Sequence, residues 1–153
     1  FSAALALKRF GTALQSRDSG DGSDIRNRGI VLHEYFSQIA DAEDIVKIED
    51  PEVRDLIAGK LAFVEKYGWF SKEYEVYREC EIIASDGSVH RPDRVVAKDG
   101  EAVVIDYKFG EYRPRDPRYV RQVNSYMKLL SDMGFRNVRG ALWYVNHDRV
   151  EEF

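Results

Sequence analysis

Asp99-Gly100 is flanked by two runs of mostly β-branched and small apolar residues, Arg94-Val95-Val96-Ala97-Lys98 before it and Glu101-Ala102-Val103-Val104-Ile105 after it. An Asp-Gly pair in that setting is among the strongest short-range signals for a two-residue hairpin, because both residues tolerate the positive φ that a type I′ turn demands. With the pair as the loop, Lys98 faces Glu101, every cross-strand pair of numbers sums to 199, and Asp93 stands opposite Asp106. Val95, Ala97, Ala102 and Val104 then share the face of the two acids, with Val96, Val103 and Ile105 behind them. Strands apolar on both faces belong in the middle of a sheet covered on both sides, which predicts an α/β fold. A slip of one residue would move an acid to the other face, so the register carries the argument.

Opposed residues of an antiparallel pair have Cβ atoms roughly 4.5–5.5 Å apart, and like charges so placed repel. Two readings are open. The acids belong to a salt-bridged pair of strands, or a divalent cation lies between them, since hard cations such as Mg²⁺ take carboxylate oxygens and keep several waters. Lys108 is two residues beyond Asp106, so the strand period puts its ammonium on the same face.

The rest of the chain supplies layers for that sheet. Residues 1–17 are apolar-rich without a readable role, and 17–23 read as a loop through Ser19-Gly20-Asp21-Gly22. A helix is predicted over 24–40, with Ile25, Gly29, Leu32, Phe36 and Ile39 on one face and His33 at its edge. Asp50-Pro51 is an N-cap and first residue for a second helix ending near Gly68, with Val53, Ile57, Leu61 and Val64 as its buried stripe. From Glu73 to Ile82 the period is two, predicting a strand that Asp86-Gly87 turns into the Asp93 strand, so that three strands form a meander. That register sets Cys80 opposite Asp93 and turns Glu79 and Glu81 to solvent. Pro114 and Pro117 precede a helix over 118–133 closed by Gly134, followed by a strand over 138–145 and a short last one through Val150. In that helix Tyr119, Gln122 and Tyr126 share one face, and Val120, Val123, Met127 and Leu130 form a separate stripe. With Arg115, Arg118 and Arg121 interleaved, the tyrosines suit either a core rim or a strand of nucleic acid.

Composition bounds the rest. A chain of 153 residues, 44% hydrophobic and 33% charged, suits one globular domain. No apolar run is long enough to span a bilayer. The lone Cys80 leaves no disulfide framework and no four-cysteine cluster within this chain, so a reducing, cytoplasmic setting is expected. The first residue is Phe1, which predicts a piece of a longer polypeptide. Net charge is −4, yet residues 107–139 hold eight Lys/Arg against three Asp/Glu, while 41–55 hold seven acids and two bases. A phosphate-bearing substrate would be steered to the half containing Lys108. No phosphate-binding or dinucleotide-binding glycine motif occurs, and His90 and His147 carry no assignment.

Pro92-Asp93 followed by Asp106-Tyr107-Lys108 resembles the motif of the PD-(D/E)XK nuclease superfamily. Gly29-x-x-x-His33 upstream and Gln122-x-x-x-Tyr126 downstream resemble the two accessory motifs of its RecB/AddAB-type branch, in the same order. The resemblance covers residues 29–126. It implies a restriction-endonuclease-like core, a mixed central β-sheet with an antiparallel meander flanked by α-helices, and metal-dependent hydrolysis of DNA. By position, Asp93, Asp106 and Lys108 are then catalytic. Asp93, Asp106 and the Tyr107 carbonyl hold Mg²⁺ or Mn²⁺ with His33 as an additional ligand, and Lys108 orients water or stabilises charge on the phosphate. Gln122, Tyr126, Tyr119 and Arg118 are the expected DNA contacts, on single strands fed by a helicase motor in the same polypeptide or complex, for end processing and recombinational repair. Relatives that carry an iron–sulfur cluster use four cysteines, which this chain lacks. Two other classes stay in play: a catalytically silent DNA-binding or docking module, and a phosphohydrolase of small nucleotides.

Overall fold

The computed structural model describes residues 25–78 and 80–153. The predicted apolar segment and loop of residues 1–23, and the outward placement of Glu79, lie outside the described residues.

Among the described residues ten elements follow one another: α1 (Ile25–Gln38), α2 (Pro51–Val64), β1 (Glu75–Arg78), β2 (Ile82–Ile83), β3 (Val89–His90), β4 (Arg94–Lys98), β5 (Glu101–Lys108), α3 (Pro117–Asp132), β6 (Arg136–Tyr144) and β7 (Arg149–Glu152). Short 3₁₀ turns at Ala42–Lys47, Glu65–Tyr67 and Val145–His147 punctuate the chain. Asp50 caps α2 by accepting from the Glu52 and Val53 amides, and Asp116 caps α3 by accepting from the Arg118 amide. A proline stands in the first turn of each helix, where no backbone donor is needed.

Five strands form one sheet in the order β1-β4-β5-β6-β7. All neighbours are antiparallel except β5 and β6, which run parallel because α3 crosses between them. The predicted hairpin is present in its predicted register, from Arg94 opposite Ile105 to Lys98 opposite Glu101. Its turn has φ of 53° at Asp99 and 80° at Gly100, the pair of positive values a type I′ turn needs.

The first hairpin differs from expectation. β1 pairs with β4 with Arg78 opposite Arg94, and β2 with β3 with Ile82 opposite His90, so both ladders sum to 172 and not 173. The Ala84 amide donates to the Ser88 carbonyl, leaving a three-residue loop in which Gly87 takes a φ of 85°. Asp86-Gly87 is therefore not a two-residue turn, and Cys80 is not opposite Asp93. The long strand over 73–82 is also split, with β1 in the main sheet and β2 in a separate two-stranded sheet. Glu81 is held by Arg91 at 2.8 Å with its side chain only 15% exposed, against its expected solvent-facing position.

Both faces of the central strands are covered, as their composition demanded. Val96, Val103, Ile105 and Tyr107 pack with Leu32 and Phe36 of α1 and Ile39 just after it, with Ile57, Leu61 and Val64 of α2, and with Trp69 and Trp143. Val95, Ala102 and Val104 pack on the other face with Tyr126 and Leu130 of α3. At Gly140 in β6 an added Cβ would lie 2.5 Å from Val123 Cγ1 and 2.9 Å from Met127 Sδ, so α3 sits on the sheet as closely as a glycine permits.

Candidate metal centre and nucleic-acid face

Pro92 has no amide to donate, and Asp93 follows it immediately before β4. The Asp93 side chain takes over at the end of the ladder: its Oδ2 accepts from the Tyr107 amide at 2.7 Å, and its Oδ1 lies 2.6 Å from His33 Nε2. His33 arrives from α1, with its ring edge-on to Tyr107 and Phe109. Asp106 is 4% exposed, and its Oδ2 lies 2.7 Å from Lys108 Nζ.

A second chain of contacts runs outward from the lysine. Lys108 Nζ donates to Gln122 Oε1 at 2.9 Å, Gln122 Nε2 donates to the Tyr126 hydroxyl at 3.1 Å, and the ammonium lies 4.1 Å from the centre of the Tyr119 ring. Gln122, Tyr126 and Tyr119, three of the four residues predicted from the helix, thus converge on Lys108. Arg118 does not; its guanidinium makes two hydrogen bonds to Asp116, at 3.2 and 2.9 Å, and its carbon lies 5.1 Å from the centre of the Tyr119 ring. Tyr126 is 5% exposed and joins the core beside Val95 and Leu130, so it belongs to the apolar stripe from which the spacing had separated it.

The electrostatics follow from crowding. Burial, then the neighbouring Asp93 charge, push the Asp106 carboxyl up to about 7, with Lys108 opposing. Burial works on Asp93 in the same direction, but the hydrogen bond and charge of His33, a shared hydrogen bond with Asp106 and the Tyr107 amide together hold it below its ordinary value. The two acids therefore divide into one held ionised and one that readily keeps a proton.

Among the described residues no three His, Cys, Asp or Glu side chains are arranged to hold a metal ion as they stand. The acids instead satisfy each other, His33 and Lys108. The donor set still fits a hard divalent cation, because two carboxylates suffice when the ion keeps most of its waters, and a cation would relieve the repulsion that raises Asp106.

A buried acid pair with a lysine beside it thus lies at the end of a mixed sheet flanked by helices. A profile of the PD-(D/E)XK nuclease superfamily matches residues 6–152, and the chain belongs to that superfamily. Membership implies metal-dependent nuclease activity and DNA binding, with a divalent ion as cofactor. A comparison with curated proteins found no match.

Proposed function

We propose that this domain, residues 1–153, hydrolyses DNA phosphodiester bonds with Mg²⁺ or Mn²⁺ and works in the C-terminal part of a RecB/AddAB-type helicase–nuclease, cutting single strands delivered by the motor during end processing and recombinational repair. The observation that carries it is the close approach of the Asp93 and Asp106 carboxyl groups with Lys108 on Asp106, all at the sequence positions the motif specifies. Asp93, Asp106 and the Tyr107 carbonyl would hold the ion, with His33 as an additional ligand once it leaves Asp93.

Bound there, a divalent ion supplies a water of lowered pKa and neutralises charge developing on the phosphoryl oxygens. The chain's own residues do the rest. Asp106 releases its proton to become a ligand. Lys108, fixed by Asp106, Gln122 and the Tyr119 ring, presents its ammonium to the attacking water or the phosphate. Tyr119 and Arg118 offer the flanking nucleotides a ring and a cation at the rim.

Calorimetric titration of Mn²⁺ into wild type and Asp106→Ala, beside a strand-cleavage assay with and without EDTA, tests the reading. Binding by wild type alone and EDTA-sensitive cleavage are the expected results. Equal binding by both proteins would end the metal assignment. Binding to DNA with no cleavage under any divalent ion would favour the silent module, which draws support from the mutual satisfaction of His33, Asp93, Asp106 and Lys108.

A further inference from the structure

Arg94 is completely buried, the largest such side chain after Trp143. A guanidinium does not shed its proton in proteins, so burial must be compensated by hydrogen bonds. Among the described residues no carboxylate pairs with it; it donates to three main-chain carbonyls. Nε donates to Trp69 O at 3.0 Å, Nη1 to Ile39 O at 2.7 Å and Nη2 to Ala40 O, while the guanidinium carbon lies 3.9 Å from the centre of the Phe70 ring. The buried Tyr107 hydroxyl, which has no hydrogen-bond partner among the described residues, lies beside it.

The neighbour across the ladder repeats the device. Arg78 is opposite Arg94 and donates to Gln38 O. Two adjacent guanidiniums thus grip three consecutive carbonyls, Gln38, Ile39 and Ala40, at the C-terminal end of α1, where unsatisfied carbonyls favour cations. The same helix carries His33.

We propose that Arg94 is the positioning residue of the metal centre: it fixes α1, and with it His33, against Asp93 and Tyr107. Each member of the His33–Asp93–Tyr107 set is one connection away from it. Asp93 is its sequence neighbour, His33 rides on the helix whose end it grips, and the Tyr107 hydroxyl abuts it. This inference rests on the proposed metal site, but its geometric half can be read without metal.

Arg94→Lys keeps the charge and loses the planar fork, so it cannot reach the three carbonyls together. Two readouts apply. In metal-free protein, nuclear Overhauser contacts of the His33 ring with Tyr107 and Phe109, and the shift of the Tyr107 amide proton bonded to Asp93, should both be lost or moved. In titrations, Mn²⁺ affinity should fall about tenfold or more, the size of loss found when partners that orient metal ligands are removed. Adding His33→Ala to Arg94→Lys should then cost little more. Val64→Ala, a cavity in the same core away from the site, controls for general loosening and should leave both readouts in place.

Should Arg94→Lys not fold, the half-buried Arg78→Met takes its place, with a smaller loss in the same direction expected. Unchanged His33 contacts, or losses matched by Val64→Ala, would overturn the proposal. If wild type binds no Mn²⁺, the functional reading fails by itself and the metal-free contacts alone decide whether Arg94 positions His33.

Discussion

Burial and the Asp93 charge push the Asp106 carboxyl up to about 7, well above the ordinary carboxylate range. Folding therefore tightens its hold on a proton. The stability this gives is present at low pH and is lost as pH rises from the ordinary 3.8 through about 7. Asp93 acts in the opposite sense, since its lowered value gives stability above 3.8 that is lost on acidification. In EDTA, thermal midpoints should thus fall between pH 5 and 8, and Asp106→Asn should flatten that fall. Mn²⁺ affinity should rise over the same window, because binding must displace the Asp106 proton. Equal affinity at pH 6 and 8 by calorimetry would contradict this. Lys108→Met should cut the cleavage rate by about 100-fold or more, as the loss of a group stabilising transition-state charge does. It should also carry Asp106 further upward, so that Mn²⁺ binding weakens at pH 7 and recovers at higher pH.

Between elements, the tightest contact is that of α3 on β6 at Gly140. Gly140→Ala would push a methyl group into Val123 and Met127, and overpacking of that kind costs about 1–3 kcal/mol. Because α3 also carries Gln122, the expected result is a lower denaturation midpoint together with slower cleavage; an unchanged midpoint would show that the helix gives way freely. The β4–β5 register was legible because Asp99-Gly100 has only one economical turn to make, and the doubly apolar strands announced the layer on each face. Asp86-Gly87 misled for the opposite reason: the chain uses Ser85 as a third loop residue, a choice that spacing does not reveal. Gln122 and Tyr119 were readable as a helical face, whereas their grip on Lys108 depended on where α3 docks. Arg94 stood in plain view without a role, although a period of two puts it behind the acids among Val96, Val103 and Ile105, where an arginine must find carbonyls.

For the whole molecule, the decisive quantity is how folding and ligand binding are linked. An ion that binds only the folded chain raises its stability with concentration, so Mn²⁺ should lift the thermal midpoint progressively and EDTA should reverse it. DNA affinity should fall steeply with salt, because the positive excess over residues 107–139 acts against an acidic total. No helix among the described residues is long and apolar enough to cross a membrane. The buried thiol of Cys80, 1% exposed and pushed up to about 12 by its surroundings, has one more consequence. It should ignore maleimides and aromatic disulfides until the chain is denatured, which colorimetric thiol counting would verify. A single cysteine introduced at exposed Lys98, at the far tip of the β4–β5 hairpin, would then be the sole attachment point for a fluorophore, giving a reporter for watching strands arrive and depart while the native sulfur stays silent.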